Sequence, residues 1–308
     1  MKIGLVDVDS RNFPNLALMK ISSYHKQKGD SVEFAAMFEN YEIIYKSKIF
    51  SFSNDNNYRY RADEVIKGGT GYDYRTILPS EIDLVVPDYS LYNCIHAYGF
   101  LTRGCTNKCD FCIVPQKEGY IRAYADIEDF IENKKSAIIM DNNILASEHG
   151  LHQIEKIVKL GIKIDVNQGL DARLINNEIA KLLSKVKWLK PIRLACDSLS
   201  AVPIVNKAVG LLRKYNVKPS RYFCYVLVRD DIEDALQRVE FLKAIKVDPF
   251  AQAYRCPLNT LPITKEQKDF CRWVNHKAIF STVSYMDYNR SRLLGKKWKE
   301  KGLFSLVG

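Results

Sequence analysis

The second half of the sequence alternates between strand-like and helix-like patterns, and this alternation limits the folds that the chain can adopt. Short apolar runs predict six strands, at residues 97–101, 137–141, 162–166, 192–196, 222–228 and 249–254. Amphipathic patterns predict a helix after each of the first five strands. Such an alternation within one domain predicts a closed or doubly wound parallel sheet. We therefore expect an α/β fold whose functional residues lie at the carboxyl ends of the strands.

The first 90 residues predict a separate, smaller α/β unit. Apolar runs typical of strands occupy residues 2–8, 31–34 and 41–52. A helical pattern begins after Pro14 and ends at Gly29, between the first two of these runs. Strand, helix and strand in this order predict a parallel unit with a crossover helix.

The domain boundaries follow from where these patterns stop. Residues 53–90 are rich in Asn, Gly and Pro and predict an irregular linker. A last helical pattern begins at Thr264 and continues through Phe280. We expect three parts, which are an N-terminal domain with its linker at 1–90, a main α/β domain at 91–260 and a helical extension at 261–308.

Three cysteines within eight residues give the clearest chemical signal. Cys105, Cys109 and Cys112 have the spacing C-x₃-C-x₂-C. Three thiolates suit an iron–sulfur cluster and leave one iron of a four-iron cluster without a protein ligand. The alternative is a structural zinc site, which needs a fourth ligand, and Cys94 and His96 are the nearest candidates in the sequence. Iron and sulfide in the anaerobically purified protein would favour the cluster, and stoichiometric zinc would favour the alternative.

Composition places the chain among soluble globular proteins. Hydrophobic residues make up 47% and charged residues 27% of the 308 residues. No apolar stretch of about 18 residues is present, so we expect no membrane span. The start of the chain is acidic too early for a signal peptide, which favours the cytoplasm and reduced thiols. Cys256 and Cys271 are therefore interpreted as buried thiols, since no second cysteine group accompanies them.

The cysteine loop resembles the cluster motif of the radical S-adenosylmethionine (SAM) superfamily. Phe111 fills the aromatic position before the third cysteine, and the flanking run Thr102-Arg103-Gly104-Cys105 is similar to the branch of methylthiotransferases and cobalamin-binding radical SAM proteins. The resemblance implies a small Rossmann-like domain followed by a partial (β/α)₆ barrel, of the TIM-barrel type. It also implies a [4Fe–4S] cluster on Cys105, Cys109 and Cys112, with SAM at the open iron beside Phe111. A reductant such as flavodoxin or ferredoxin would supply the electron that cleaves SAM.

The N-terminal domain departs from both groups of that branch. Cobalamin-binding members carry Asp-x-His-x-x-Gly, which is missing here. His25 lies within a helical pattern and is interpreted as a solvent-exposed helix residue. Methylthiotransferases hold a second cluster on three N-terminal cysteines, but this chain has no cysteine before Cys94. We therefore expect neither a second cluster nor cobalamin with a histidine ligand.

Polar residues after the second and third barrel strands are candidates for SAM binding. The second strand ends in Asp141-Asn142-Asn143, where many radical SAM enzymes have Gly-Gly-Glu to bind the amino group of SAM. An ordinary Asn-rich turn is the alternative. The third strand is followed by Gln168, Asp171 and Arg173, which together can bind a zwitterion.

Two later positions complete the candidate SAM site. Asp197 follows the fourth strand, where its carboxylate can accept hydrogen bonds from ribose hydroxyls or cap the next helix. Tyr254 follows the sixth strand and would form part of an adenine-binding wall.

The substrate of such an enzyme is suggested only by charge. The net charge of +10 favours an anionic partner, and the run Tyr58-Arg59-Tyr60-Arg61 and the basic stretch 290–301 suggest RNA or DNA. An edge strand with outward charges and a solvated terminal helix are the respective alternatives. A peptide or a small molecule also remains open as substrate. A non-catalytic, zinc-binding nucleic-acid protein is the alternative function.

Overall fold

The computed structural model describes residues 1–10, 13–55, 58–216, 222–256 and 262–289. The chain divides into two compact units. The first comprises Met1–Gln168 and Val186–Leu189, and the second comprises Gly169–Lys185 and the described residues from Lys190 onward. Each unit is built around parallel strands, as the alternating sequence pattern predicts.

The first unit begins with a parallel sheet of four strands. Their order in the sheet is β2-β1-β3-β4. These strands and the helix that crosses over between the first two are β1 (Lys2–Asp7), α1 (Leu16–Gln27), β2 (Ser31–Phe34), β3 (Asn40–Ser47) and β4 (Arg61–Gly68). Asn15 caps α1 by accepting the backbone N–H of Leu18 at 3.2 Å, and Gly29 follows the helix at φ +82°. Ile3, Leu5 and Leu18 are buried between helix and sheet. The predicted strand–helix–strand unit is confirmed, but the strand predicted at residues 41–52 ends at Ser47.

The prediction of an irregular linker is wrong at residues 61–68, because this segment forms β4. Six of its eight residues are exposed, so β4 lies at the sheet edge without the apolar pattern of a buried strand. The charged side chains that hid it from sequence analysis are typical of an edge strand. A short helix, α2 (Ser80–Asp83), and a 3-10 turn at Tyr89–Tyr92 follow.

A second parallel sheet completes the first unit, with the strand order β10-β9-β8-β5. A separate antiparallel pair, β6 and β7, occurs between β5 and β8 in the sequence. The elements are β5 (Ala97–Gly99), β6 (Thr102–Arg103), α3 (Val114–Lys117), β7 (Arg122–Ala123), α4 (Glu128–Ile131), β8 (Ser136–Ile139), α5 (Glu148–Leu160), β9 (Lys163–Val166) and β10 (Lys187–Trp188). The first three strands predicted in the second half of the sequence are confirmed. The sequence analysis did not predict β10, because a strand of two residues has no recognisable pattern.

The second unit contains a parallel sheet in the order β11-β12-β13. Its elements are α6 (Asn177–Leu183), β11 (Ile192–Ala195), α7 (Val202–Lys214), β12 (Tyr222–Val228), α8 (Ile232–Ala244), β13 (Asp248–Ala253), α9 (Lys265–Asn275) and α10 (Lys277–Thr282). Alternate residues of β12 are buried, as expected for a strand covered by helices. The last three predicted strands are thus confirmed.

The C-terminal helix differs from its prediction. Thr264 caps α9 through a capping box with Gln267, as the sequence pattern indicates. The predicted single helix breaks at His276, which caps α10 instead. Within the described residues, no helix has the length and apolar content that crossing a bilayer requires.

Arg238 joins the carboxyl ends of two strands in the second unit to α8. Its side chain is 1% exposed and donates to the backbone oxygens of Cys196 at 2.7 Å and Leu227 at 3.1 Å. Its Nε donates to Asp234 at 2.7 Å. The guanidinium therefore satisfies two carbonyls that follow or end parallel strands.

We expect Arg238→Met to lower the free energy of unfolding by about 3 kcal/mol, because it leaves buried carbonyls and a carboxylate without their donor. Chemical denaturation followed by circular dichroism measures the change. Arg272→Met, on the exposed face of α9, is the matched control. Equal destabilisation by the two substitutions would contradict the assigned role of Arg238.

Candidate metal centre

The three cysteines lie in a loop whose two ends are held together by a hairpin. Thr102 and Arg103 of β6 pair with Ala123 and Arg122 of β7, so the intervening segment is closed at its base. We call residues 104–112 the cluster loop. The backbone N–H of Cys105 donates to the carbonyl of Gly119 at 3.2 Å, which extends this closure by one residue. The hairpin positions the cysteines just beyond β5.

Gly104 is required by the geometry of this turn. Its φ is +86°, a conformation that residues with a side chain rarely adopt. A methyl group added there would come within 2.3 Å of the Tyr120 carbonyl oxygen. Gly104 therefore has a left-handed backbone and also lies directly against the backbone of Tyr120, and both features exclude a larger residue.

The thiols of the cluster loop are half-buried, whereas Cys196 and Cys224 are fully buried. The sulfur of Cys105 accepts the backbone N–H of Asn107 at 3.4 Å and the side-chain amide of Asn143 at 3.5 Å. Such donors stabilise a thiolate, the form of cysteine that binds metals. Accessible thiols with N–H donors directed at sulfur fit the ligand set of an iron–sulfur cluster.

The structure does not bring all three thiols to one point. Across the described ranges, no group of three His, Cys, Asp or Glu side chains is arranged to hold a metal ion. Cys109 and Cys112 lie in one turn, in which the N–H of Cys112 donates to the Cys109 carbonyl at 3.1 Å. The proposed fourth zinc ligands are engaged elsewhere, since His96 bonds to Ser136 at 2.6 Å and the thiol of Cys94 lies 3.9 Å from the Met19 sulfur.

A buried carboxylate anchors the strand that leads into the cluster loop. Asp141 is 0% exposed and accepts the backbone N–H groups of Leu101 at 2.8 Å and Thr102 at 2.6 Å. It also accepts the Thr102 hydroxyl. Burial raises the pKa of Asp141 to about 6, although these hydrogen bonds oppose the shift. Both carboxylate oxygens hold the backbone, so direct contact between Asp141 and SAM remains a prediction.

Glu118 is a second anchor, and sequence analysis did not identify it. One oxygen accepts the N–H of Gly104 at 3.0 Å and the amide of Asn142 at 2.9 Å. The other pairs with Arg103 at 3.0 Å, and the glutamate side chain is only 8% exposed. No sequence pattern separates Glu118 from a solvated acid. Glu118 lies four residues before the hairpin strand β7, which the sequence analysis did not predict.

The remaining candidates in the first unit vary in burial. Asn143 is 2% exposed and directs its amide to Cys105, while Asn142 binds Glu118, so both belong to the cluster-loop environment. Phe111 is half-buried within the loop. Gln168 is exposed and follows β9, as predicted.

The candidates in the second unit form separate local contacts. Asp171 and Arg173 bind each other, with Nε to Oδ1 at 2.7 Å and Nη2 to Oδ2 at 2.9 Å. Asp197 accepts the backbone N–H of Leu227 at 2.9 Å, and burial raises its pKa. The alternative that Asp197 caps the next helix is therefore wrong. Tyr254 follows β13, and the Arg229 guanidinium lies 5.9 Å from its ring centroid.

His25 is buried, so its interpretation as a solvent-exposed residue is wrong. It is 3% exposed on the face of α1 that packs against the sheet. Its ring nitrogens bond to Asp30 at 2.7 Å and to the Tyr45 hydroxyl at 3.0 Å. The prediction that Cys256 and Cys271 are buried is also only partly met, because both are half-buried.

Comparison with known proteins identifies a fold but no established family. No family model matches the sequence. An uncharacterised protein of Methanocaldococcus jannaschii is 27% identical, in a match that covers 59% of this chain and 52% of that protein. The solved structure of OxsB, a cobalamin-dependent S-adenosylmethionine radical enzyme with aqua-cobalamin and S-adenosylmethionine bound, is similar with a TM-score of 0.52. That match has 13% sequence identity and covers 97% of this chain and 61% of OxsB.

The likeness to OxsB supports the resemblance to radical SAM enzymes at the level of the fold. The parallel sheets of this chain agree with the predicted α/β fold class. The chain spans about half the length of the curated relative and less than two thirds of OxsB.

We expect Gly104→Ala to prevent iron and sulfide loading and to lower the melting temperature, because the added methyl group overlaps the Tyr120 carbonyl. Gly119→Ala is the matched control. Gly119 also has a positive φ, +74°, but nothing within 4 Å would meet its methyl group. Thermal denaturation and iron–sulfide analysis after anaerobic reconstitution measure both effects. Normal loading by the Gly104 variant would show that the close approach at this residue is unimportant.

Proposed function

We propose that this protein is a radical SAM enzyme that binds a [4Fe–4S] cluster through Cys105, Cys109 and Cys112 and reductively cleaves S-adenosylmethionine. The observation that carries the proposal is the cluster loop. It has the cysteine spacing of the superfamily and is fixed at its start by Asp141 and Glu118. The OxsB-like fold extends over 97% of the chain and supports it. When bound and reduced by a flavodoxin or ferredoxin, the cluster would supply the one electron that cleaves SAM into methionine and a 5′-deoxyadenosyl radical.

The residues around the loop have positioning roles in this proposal. Asp141 fixes the approach to the loop, and Glu118 joins Gly104 to Asn142. The backbone N–H of Asn107 and the side-chain amide of Asn143 donate to the Cys105 sulfur. Together they hold the first cysteine in place, while half-burial leaves its sulfur accessible.

The SAM contacts are part of the proposal. Asn142 and Asn143 would recognise the amino group, since both lie beside Cys105 or its anchor Glu118. Arg173, which is paired with Asp171, would bind the carboxylate of SAM. The other proposed contacts are Phe111, Asp141, Gln168, Asp197 and Tyr254.

We further propose that the six parallel strands β5, β8, β9, β11, β12 and β13 correspond to the partial (β/α)₆ barrel of the superfamily. Residues 1–90 would be its Rossmann-like N-terminal domain, 91–260 the barrel and 261–308 a helical extension. The cytoplasm is the proposed location, with flavodoxin or ferredoxin as reductant. The +10 net charge favours RNA or DNA as substrate over a peptide or small molecule.

Replacing Cys105, Cys109 or Cys112 with Ala is expected to abolish both cluster assembly and SAM cleavage, because three thiolates are needed. The measurements are iron–sulfide content, the visible absorption spectrum and 5′-deoxyadenosine formation under strong reductant. Cys271→Ala is the control, since its thiol is also half-buried and burial raises its pKa to about 11. Formation of 5′-deoxyadenosine by Cys109→Ala, or a colourless protein with one zinc per chain, would refute the proposal.

We expect no cobalamin with His25 as ligand, because both ring nitrogens of this buried histidine are engaged by Asp30 and Tyr45. Incubation with aqua-cobalamin, gel filtration and absorption spectroscopy test this expectation. His152→Ala, at an exposed histidine of α5, serves as the control for His25→Ala. Stoichiometric cobalamin that is lost only in the His25 variant would overturn it.

A further inference from the structure

We propose that the carboxyl edge of the N-terminal sheet binds single-stranded nucleic acid, with bases stacked on Phe50 and Phe52 and phosphates bound by Lys48, Lys67 and Lys117. This inference names the substrate class of the proposed enzyme. Binding of the nucleic acid does not depend on the proposed function, and only its description as a substrate rests on that function. Ligands of open parallel sheets bind at the carboxyl ends of the strands, and all five residues follow or end such strands or lie on the adjoining helix α3.

Phe50 and Phe52 form an exposed aromatic platform on the loop after β3. Their exposed fractions are 47% and 53%, and their rings stack with centroids 5.2 Å apart and an interplanar angle of 24°. The backbone beneath is fixed, because the carboxylate of Asp9 accepts the N–H groups of Ile49 and Phe50, both at 2.8 Å. Two exposed rings on a fixed turn are suited to stacking with bases.

A glycine loop after β4 packs against the base of this platform. The N–H of Gly71 donates to the Lys48 carbonyl at 2.9 Å. A methyl group added at Gly69 would come within 2.4 Å of the Lys48 carbonyl oxygen, and one at Gly71 within 2.8 Å of the Phe50 carbonyl oxygen. Only glycine allows the two loops to approach so closely. The β4 loop is therefore held beside Lys48 and the platform.

Two lysines converge on one tyrosine at this edge. The ammonium of Lys48 lies 5.6 Å from the centroid of the Tyr72 ring, and that of Lys67 lies 5.7 Å from it. Lys48 is 8% exposed, and its hydrogen bond is a long one, 3.4 Å, to the Ser51 carbonyl. A bound phosphate would give this ammonium a charge-assisted hydrogen bond of ordinary length.

Lys117 brings a third cation to the same loop. Its ammonium donates to the Thr70 hydroxyl at 2.5 Å, between Gly69 and Gly71. Burial lowers the pKa of Lys117, and the charge of Arg103 lowers it further, whereas Glu118 raises it. Lys117 therefore also lies where a phosphate would stabilise the charged form.

The nearby carboxylates that the structure describes form no close ion pair with these lysines, although Asp55 interacts with the charge of Lys67 and Glu118 with that of Lys117 from farther away. Asp55 pairs with Lys46 at 2.5 Å and accepts the Tyr72 hydroxyl at 2.7 Å, while Asp9 is engaged by backbone N–H groups. Within the part of the chain that the structure describes, no carboxylate lies at ion-pairing distance from Lys48, Lys67 or Lys117. The edge therefore combines three lysines that form no close ion pair among the described residues with two exposed aromatic rings.

The same segment connects this edge to the cluster loop. Lys117 ends α3, five residues after Cys112, and the adjacent Glu118 holds Gly104 at the start of the loop. A phosphate on Lys117 would thus lie next to the segment that carries the cysteines. Both features belong to the first compact unit.

The sequence had suggested other residues for this role. Tyr58 is 55% exposed, but Tyr60 packs against the core cluster of Val6, Tyr41 and Ile44 and is not an open stacking surface. Arg61 begins the edge strand β4, in agreement with the alternative given for this run. The basic stretch 290–301 lies outside the described residues.

The test is a titration of the whole cluster-loaded protein with a fluorescently labelled single-stranded 12-mer at several salt concentrations, followed by anisotropy. We expect affinity to fall as salt rises. The double change Phe50→Ala, Phe52→Ala should weaken binding by at least about 5-fold, through lost stacking. Lys67→Gln and Lys117→Gln should each lower the slope of log affinity against log salt by about 0.7, the value for one lost phosphate contact on a single strand.

Matched controls are Phe38→Ala, an exposed ring after β2, and Lys159→Gln, an exposed lysine of α5. Unchanged binding in the Phe50 and Phe52 variant, salt-independent binding, or absence of binding at low salt would overturn the inference. Displacement of the 12-mer by equimolar mononucleotide or by an acidic peptide would also overturn it, because either would show that a strand is not required. SAM cleavage is assayed separately, so binding without cleavage refutes the proposed function alone, and cleavage without binding refutes this inference alone.

Discussion

The buried carboxylate of Asp141 is the interaction on which the geometry of the cluster loop depends. It lies just after β8, yet it accepts two backbone N–H groups and a hydroxyl from the segment that follows β5. A buried carboxylate is stable only when its oxygens are satisfied in this way. Its hydrogen bonds therefore connect neighbouring parallel strands at the point where the sheet gives way to the loop. Burial keeps its pKa near 6, so the charge on this anchor is costly and its partners must remain in place.

Glu118 has a complementary role on the far side of the same loop. It is paired with Arg103, whose guanidinium lies 4.0 Å from the centroid of the Phe100 ring. Its second oxygen collects the N–H of Gly104 and the amide of Asn142. The two acids therefore hold different parts of the loop. Asp141 positions Thr102 before the loop, and Glu118 positions Gly104 at its start. Asn143 adds a direct link from the strand end to the sulfur of Cys105.

Sequence analysis predicted most accurately the elements whose apolar residues are buried or whose ends are marked by a glycine. The strands of the second half are apolar where they are buried, and this pattern predicts them well, although only one of the six residues of β13 is buried. Gly29 likewise marks the end of α1. The edge strand β4 was not predicted, because most of its residues are exposed and several are charged. His25 was misjudged because the helical pattern of α1 does not reveal which polar side chains face the sheet, and Lys20 and Ser22 are buried as well. Glu118 could not be foreseen, since its three partners come together only through the hairpin and the end of β8.

The closed hairpin beneath the cysteines has a consequence for how a cofactor would be gained and lost. All the bonds that close this loop join protein atoms, from the β6–β7 pair to the contact between Cys105 and Gly119. The hydrogen bonds between β6 and β7 therefore offset the entropy cost of closing the loop during folding. In zinc fingers, by contrast, metal binding must also fold the polypeptide. A ligand bound by these cysteines would therefore meet a loop whose base is already closed, and its binding would not have to supply the free energy of joining β6 to β7.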